Sequence, residues 1–316
     1  MRRGKPLLIF SLEVINVKKC VITLFLLIAV VFFGVKLLNP FGPALIPVLP
    51  IMEGKIPYDV QVEIWKNPEE AVAKLVSGEA DFAILPVTVG ANLYAKGVRI
   101  RLVGVHEWKV FYLVAASDVS FEGWESLRGK EVYTPHGRGQ TVDVLMRYFL
   151  TKAGLEPDKD VKILYAPPQE IVVLFKSGKI KYAALPEPFV TLCLDKGRVV
   201  FDFQKEWGRE IGVPDRIPIA GLFAMEGISK ETIETVEKAL VSSLEWMKEN
   251  LEETVRLSSE KLGMPYNVLK SSLERMVFYY VPIEDCKKEV SIFLEKLNEL
   301  YPEGLQKVPD EGFYEE

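Results

Sequence analysis

The sequence repeats itself at an interval of 100 residues. The segment "GEADFAILPVTVGANLYAKG" spans residues 78 to 97, and "GKIKYAALPEPFVTLCLDKG" spans residues 178 to 197. Seven pairs of identical residues stand in one unbroken register, from Ser77/Ser177 to Gly97/Gly197. Self-similarity at a fixed interval is typical of a chain built from copies of one structural unit. The repeat therefore predicts two lobes of similar architecture.

Each copy has the pattern of a β-α-β-α-β unit. In the first copy, "DVQVEIW" alternates as a strand does, and the next segment has proline at a helix start and glycine at its end. "DFAILP", a helix closed by Gly97 and "VRIRLVGV" follow. The second copy gives "DVKILYA", "PPQEIVVLFKSG", "YAALP", "EPFVTLCLDKG" and "VVFDF" in the same order. Such units predict an α/β protein in which each lobe has a parallel sheet covered by helices.

Residues 1–34 differ in composition from the rest of the chain. They carry five basic side chains and one acidic one, a net charge of +4, so the remaining residues carry −9 of the overall −5. The apolar run "VITLFLLIAVVFFGV" follows Lys18-Lys19 and is shorter than the roughly 20 residues of a membrane-spanning helix. A basic start, an apolar centre and a small residue predict a secretory signal peptide. An uncleaved N-terminal anchor and a buried first strand remain alternatives.

Charge and residue types argue against several function classes. An acidic chain without a basic stripe is repelled by nucleic acid, so no nucleic-acid partner is expected. His106 and His136 stand apart, with no cysteine or carboxylate cluster beside either, and there is no G-x-S-x-G segment. We therefore expect no catalytic residues, no metal and no cofactor. Cys193 and Cys286 could form one disulfide, but nothing in the sequence requires it.

Two lobes imply a cleft between them. In open α/β sheets, ligands bind beyond the carboxyl ends of the strands, where helix N-termini favour an anionic group. Four loops have this position, namely "NPFGPAL" (39–45), "LPVTVG" (85–90), "TPHGRGQT" (134–141) and "LPEPF" (185–189).

The third of these loops has the strongest features of a binding loop. Gly137 and Gly139 allow close approach of the backbone, and Arg138 can clamp an oxyanion with paired donors. The loop is neither a Walker loop, because no Gly-Lys-Ser/Thr follows, nor a dinucleotide fingerprint, because Val142 replaces the third glycine. The alternative is an ordinary strand-to-helix turn with exposed Arg138 and His136.

Two residues outside this loop each have two interpretations. Glu187 begins a helix in the "PEPF" turn, where it either caps the helix or contacts an amino or ring-nitrogen group of a ligand. Trp108 precedes the first strand that leaves the lobe, and it either forms an aromatic wall of the cleft or packs in the core. The predicted ligand-binding residues are Asn39, Phe41, Gly42, Thr88, Trp108, Thr134, His136, Gly137, Arg138, Gly139, Gln140, Thr141 and Glu187.

Three segments carry a resemblance to a known family. "LVSGEADFAILP", "WESLRGKEV…GRGQTVDVLMRYFLTKAGL" and "LFKSGKIKYAALPEPF" resemble the solute-binding proteins of ABC importers. The most similar group is the nitrate/sulfonate/taurine type, which is related to pyrimidine-precursor binding proteins. The resemblance extends from about Val35 through the helix "VEKALVSSLEWMKENLEETV". Lys181 departs from the family pattern, which has aspartate there, as Asp81 is in the first copy.

The resemblance implies the two-lobe periplasmic-binding-protein type II architecture, with two similar α/β lobes joined by two hinge strands. "FYLVAAS" (111–117) would carry the chain out of the first lobe, and "IPIAGLFA" (217–224) would bring it back. The implied organisation is a signal peptide or anchor at 1–34, the first part of lobe 1 at 35–112, lobe 2 at 113–220, and a return to lobe 1 with C-terminal helices at 221–316.

The resemblance also implies a function. It predicts an exported monomer that captures a small anionic or zwitterionic organic molecule and delivers it to the permease of an ABC importer. Alkanesulfonate, taurine, nitrate, a carboxylated metabolite and a pyrimidine precursor all remain open as ligands. The alternative is a biosynthetic enzyme of the same fold, in a pyrimidine or menaquinone pathway. The predicted export signal favours the binding protein, because a cytoplasmic enzyme has no use for one.

Overall fold

The chain folds into two β-sheets with helices on their faces. The computed structural model describes residues 34–65, 67–135, 137–300, 302, 304–305 and 307–315. The predicted leader, apart from Gly34, lies outside the described residues. Among the helices that are described, none combines the length and the apolar character needed to cross a membrane.

The strands and helices follow one another in the order that the repeat predicts. The strands are β1 Val35–Pro40, β2 Val60–Trp65, β3 Phe82–Pro86, β4 Ile100–Lys109, β5 Phe111–Ala116, β6 Glu131–Thr134, β7 Lys162–Tyr165, β8 Tyr182–Pro186, β9 Gly197–Asp202, β10 Ala220–Met225 and β11 Val277–Pro282. The α-helices are α1 Leu49–Met52, α2 Pro68–Val76, α3 Val87–Ala95, α4 Thr141–Lys152, α5 Pro168–Lys176, α6 Phe189–Cys193, α7 Phe203–Ile211, α8 Lys230–Glu249, α9 Leu251–Leu262, α10 Tyr266–Leu273 and α11 Ile283–Leu300. Short 3₁₀ helices span Pro43–Val48, Trp124–Leu127 and Glu311–Phe313.

The two sheets have the same strand order. The first sheet runs β11-β4-β10-β3-β1-β2, and the second runs β7-β6-β8-β5-β9. Without β11, each strand of the first sheet has an equivalent in the second: β2 with β7, β1 with β6, β3 with β8, β10 with β5 and β4 with β9. The two-lobe α/β architecture predicted from the repeat is confirmed.

The prediction that each sheet is purely parallel is wrong. β1 pairs in parallel with β2 and β3, and β6 pairs in parallel with β7 and β8. By contrast, β10 is antiparallel to β3 and β4, and β5 is antiparallel to β8 and β9. These two strands begin where the chain crosses from one sheet to the other, whereas their parallel neighbours end there. Their reversed direction follows from that origin.

The sequence repeat is also a geometric repeat. β3 and β8 occupy equivalent positions 100 residues apart, and so do α2 and α5. Both helices are followed by a glycine in the left-handed region, since Gly78 and Gly178 each have φ of 75°. The copies differ in their second helices, because α3 has nine residues and α6 has five.

Two stretches of chain cross side by side between the sheets. Val110 alone separates β4 from β5 on the outward crossing. On the return crossing, the N–H of Ile217 donates to the carbonyl of Trp108 (2.9 Å), and the N–H of Ile219 donates to the carbonyl of Glu107 (3.0 Å). The two crossings are therefore hydrogen-bonded to each other.

One buried side chain fixes the outward crossing. Gln204, on α7, is fully buried, and its Oε1 accepts from the backbone N–H groups of Val110 (3.3 Å) and Phe111 (2.8 Å). Its Nε2 donates to the carbonyl of Phe111 (2.8 Å). A single amide thus satisfies three backbone groups that would otherwise be buried without partners.

The central strands of both sheets are buried over all or nearly all of their length. Every residue of β5 is buried, and β3 is buried from Phe82 to Leu85. Continuous apolar strands of this kind are typical of sheets covered on both faces by helices. The chain returns to the first sheet at its end, where Tyr314 forms a β-bridge with Leu102. Cys193 and Cys286 are both buried and free.

We predict that Gln204→Leu destabilises the protein by about 3 kcal/mol or more, because three buried backbone groups lose their partners. The measurement is the free energy of unfolding by denaturant. Lys205→Ala, at the neighbouring exposed position, is the matched control and is expected to change stability by less than about 0.5 kcal/mol. A Gln204→Leu protein as stable as the control would contradict this role of the amide.

His106 predicts a pH dependence of stability. It is fully buried, neither ring nitrogen has a hydrogen-bond partner in the described structure, and burial lowers the pKa of its imidazole from 6.5 to about 3. Below pH 6.5 the unfolded chain therefore takes up a proton that the folded chain does not. This costs about 1.4 kcal/mol of stability between pH 7.5 and 5.5.

The measurement compares unfolding free energies of the wild type and His106→Leu across that range. The wild type is expected to lose about 1.4 kcal/mol more than the variant on acidification, since leucine removes the titrating group. Equal losses in the two proteins would show that His106 is protonated without penalty in the folded state.

Candidate functional site

A cavity of about 410 Å³ lies between the two sheets. Its wall includes Pro40, Pro86 and Pro186, which are the last residues of β1, β3 and β8. It also includes Phe111 and Ala220, the first residues of the two antiparallel strands. The cavity thus lies where the parallel strands end and the crossing strands begin, which is the usual ligand position in open α/β sheets.

The four loops singled out in the sequence all contribute to this one cavity. Four of the predicted ligand-binding residues line it: Phe41 and Gly42 from the first loop, and Gln140 and Thr141 from the third. The second loop contributes Pro86 and Val89, and the fourth contributes Pro186, Pro188 and Phe189. Thr141 is the first residue of α4, so the N-terminus of that helix faces the cavity.

Other predicted residues lie behind the cavity wall. Asn39, Thr88 and Thr134 are buried and are not among the residues that line the cavity. Nδ2 of Asn39 donates to the carbonyl of Pro40 (2.8 Å), while the two threonine hydroxyls have no hydrogen-bond partner in the described structure. Gly137 forms a turn with φ of 85°. His136 lies outside the described residues.

Arg138 and Gly139 make contacts within their own lobe. Nη1 of Arg138 donates to Oδ2 of Asp158 (3.2 Å), and the N–H of Gly139 donates to Oδ2 of Asp143 (2.8 Å). Neither residue lines the cavity. The Arg138 guanidinium and the Gly139 N–H are the donors that an anion would need from this loop. Both are therefore directed at carboxylates of the protein.

A buried network holds those two carboxylates in place. Arg147 donates from Nε to Asp143 (3.0 Å) and from both terminal nitrogens to Asp158 (2.7 and 3.1 Å). The hydroxyl of Tyr165 donates to Oδ1 of Asp143 (2.7 Å). Because Asp143 and Arg147 are both buried, this network fixes the conformation of the glycine loop.

Glu187 is fully buried and bonded on both carboxylate oxygens. Oε2 accepts from the N–H (3.0 Å) and the hydroxyl (2.8 Å) of Thr191, four residues further along. Oε1 accepts from Nε of Arg275, which lies between α10 and β11. Burial raises the pKa of the Glu187 carboxyl, and the bonds from Arg275 and Thr191 oppose that rise. Glu187 therefore joins the second sheet to the C-terminal segment.

Trp108 is part of the core. Its indole ring is fully buried and stacks on Tyr279, with ring centres 5.7 Å apart, and its N–H donates to the carbonyl of Tyr279 (2.9 Å). The guanidinium of Arg216 lies over the same ring, 4.5 Å from its centre. Trp108 does not line the cavity.

The residue before Trp108 lines the cavity instead. Successive side chains of a strand point to opposite faces, and Glu107 is the cavity-lining member of this pair. Only 4% of Glu107 is exposed, and its carboxyl has no hydrogen bond or ion pair within the described part of the chain. Burial raises its pKa from 4.5 to about 8. Within the segment "VHEWKVF", Glu107 and not the predicted Trp108 is thus the residue that lines the cavity.

Aromatic and aliphatic side chains make up most of the remaining wall. Trp65 and Phe111 were not predicted for the site, and both line it together with Phe41 and Phe189. The indole N–H of Trp65 is buried without a partner in the described structure. The C-terminal part of the chain contributes Leu262, the last residue of α9, and Met264, two residues later. No lysine or arginine is among the described residues that line it.

Residues 57–208 match the NMT1-like family. No curated protein matches the chain in sequence. Among solved structures, an ABC transporter protein of Parabacteroides distasonis is similar with 27% identity and a TM-score of 0.76, over 89% of this chain and 98% of that one.

Two further structures share the fold at lower identity. One is the periplasmic aliphatic sulphonate-binding protein of Escherichia coli, with 16% identity, a TM-score of 0.72 and coverage of 89% of this chain and 92% of that one. The other is a putative nitrate transport protein of Thermoplasma volcanium, with 15% identity, a TM-score of 0.55 and coverage of 86% and 95%. The match to the NMT1-like family thus covers residues 57–208, and the chain has the two-lobe fold that the resemblance of its segments to solute-binding proteins of ABC importers implied.

Proposed function

We propose that this protein is the extracytoplasmic solute-binding component of an ABC importer. One observation carries the proposal, namely the cavity of about 410 Å³ between two equivalent α/β lobes. Cavities of this size enclose small organic molecules. The basic and apolar leader supports a location outside the cytoplasmic membrane. The similar structures, which include an ABC transporter protein and a periplasmic binding protein, support a permease as the partner.

The side chains that line the cavity favour some classes of ligand over others. Phe41, Trp65, Phe111 and Phe189 give it an aromatic lining, and Gln140, Thr141 and Gln169 add neutral polar groups. Such a lining suits a molecule with an apolar or ring-shaped body. Within the ligand classes that the sequence left open, a nitrogen-containing ring fits this wall better than nitrate or a small sulfonate, because the described lining offers no cationic side chain.

Binding closes the cleft by rotation about the two crossings. We take residues 35–112 with 221–316 as one lobe and 113–220 as the other, as the sequence suggested. The crossings at Val110 and Ile217–Ile219 are the short connections about which the lobes can turn. The ligand is held by residues of both lobes, such as Phe41 and Phe189, so it favours the closed arrangement.

We predict that a bound ligand stabilises the protein and makes it more compact. At 100 times the dissociation constant, a ligand adds about 2.7 kcal/mol to the free energy of unfolding. A thermal-shift screen identifies the ligand, and small-angle scattering of the same sample measures the radius of gyration, which is expected to fall. A stabilising ligand that leaves the scattering unchanged would argue against closure, and conversion of that ligand into a product would favour the enzyme.

The predicted leader provides a separate test of location. Cells of the native host are separated into cytosol and extracytoplasmic fractions, and the protein is expected in the latter, free or tethered by its leader. A variant with Lys18 and Lys19 changed to glutamate is the control, since loss of the basic flank is expected to impair export. Wild-type protein recovered from the cytosol would contradict the importer function.

A further inference from the structure

We propose that Glu107 is the charged anchor of the cavity and that the natural ligand presents a protonated nitrogen to it from an apolar or aromatic body. This inference rests on the proposed solute-binding function and names the chemistry of the ligand. It differs from the sequence-based expectation, in which Arg138 binds an anionic group.

The Glu107 carboxyl has no partner in the described structure. It lines the cavity, only 4% of the residue is exposed, and no described side chain or backbone group bonds to its oxygens. Buried carboxyl groups are normally paired or hydrogen-bonded, because their removal from water is costly. The partner of this carboxyl must therefore come from the contents of the cavity.

The other buried acidic side chains differ from Glu107 in having partners. Glu187 is held by Arg275 and Thr191, and Asp143 is held by Arg147, Tyr165 and Gly139. The fold thus supplies partners for the carboxylates that it uses structurally. Glu107 is the buried carboxylate for which the described structure supplies none.

Aromatic side chains surround the same space. Phe41, Trp65, Phe111 and Phe189 line the cavity together with Glu107. A cation is attracted to the faces of aromatic rings, and the attraction increases when both are removed from water. A carboxyl group combined with aromatic walls therefore favours an organic cation over a neutral molecule of the same shape.

The described lining offers no counter-charge for an anion. The described lining contains no lysine or arginine, and Arg138 is ion-paired with Asp158. An anion placed in this cavity would lie beside Glu107, and none of the described lining residues has a cationic side chain to balance it. The positive end of α4 at Thr141 suits a neutral acceptor atom elsewhere on the ligand.

Burial raises the pKa of the Glu107 carboxyl to about 8, with no charged neighbour contributing to the shift. In the empty protein at neutral pH the carboxyl is therefore mostly protonated. A cationic nitrogen that enters the cavity restores the carboxylate and displaces that proton to solvent. Binding of a cation is thus accompanied by release of close to one proton at neutral pH.

The test uses matched series of probes on phenyl, cyclohexyl and pyrimidine bodies. Each body carries an aminomethyl, a hydroxymethyl or a carboxymethyl group, and taurine, methanesulfonate and nitrate are added as small anions. Isothermal titration at pH 7 measures the dissociation constant, and repetition in buffers of different ionisation enthalpy measures the proton release. The amines are expected to bind at least about tenfold more tightly than the alcohols, with proton release, and the anions are expected not to bind.

Three variants separate the contributions of the residues. Glu107→Gln keeps the shape of the side chain and is expected to weaken amine binding by about 10- to 100-fold and abolish proton release, while alcohol binding is retained. Arg138→Ala tests the anion hypothesis directly and is expected to leave amine binding unchanged. Glu69→Gln, at an exposed position, is the matched control for a change of charge. Unfolding by denaturant confirms that each variant is folded.

The outcomes distinguish this inference from the function on which it rests. Preferential binding of carboxylates, sulfonates or nitrate, weakened by Arg138→Ala but not by Glu107→Gln, would overturn the inference and leave the solute-binding function intact. Amine binding that Glu107→Gln does not weaken would also overturn it. Failure of all series to bind the folded protein would contradict the solute-binding function and the inference together.

Discussion

The hydrogen bonds between Gln204 and the outward crossing are the interaction on which the two-lobe arrangement depends. The segment that crosses from one sheet to the other belongs to neither sheet. Its backbone groups therefore have no neighbouring strand with which to form hydrogen bonds. The side chain of Gln204 supplies both acceptor and donor there. The return crossing then pairs with the outward one through Ile217 and Ile219. The position of the cavity depends on this arrangement, because the lining residues Glu107 and Phe111 precede and follow the outward crossing in the chain.

Equivalent elements build the two walls of the cavity. The ends of β3 and β8, with their prolines at 86 and 186, occupy corresponding positions in the two sheets and face the same space. The two walls nevertheless differ chemically, since the first lobe contributes Trp65 and Glu107 while the second contributes Phe189 and the amide of Gln169. The two sheets are thus equivalent in topology, whereas the side chains that line the cavity differ between them. Such a difference suits an asymmetric small molecule.

The sequence was sufficient to predict the fold and the loops that line the cavity, because both depend on local patterns. Repeated identities, proline and glycine at helix ends, and strand alternation are all visible without tertiary contacts. The antiparallel direction of β5 and β10 was not predictable in this way, since it depends on where the chain crosses. The pairing of Arg138 with Asp158 joins positions 20 residues apart across a turn, and only the folded network reveals it. The sequence analysis considered Trp108 alone, and the position of Glu107 in the cavity wall depends on which face of β4 lies toward the cavity, which the segment around them does not show.

The contribution of Leu262 and Met264 to the cavity has a consequence for the order in which the protein matures. The strands of the second sheet all lie between residues 111 and 202, so that lobe can form from a contiguous stretch of chain as it emerges. The first sheet draws its strands from Val35 to Pro282, and the cavity needs residues from Pro40 to Met264. The cavity is consequently completed only when most of the chain is available for folding. A nascent or truncated chain that ends before Met264 lacks part of the cavity wall, so the enclosed space between the sheets exists only in the nearly finished molecule.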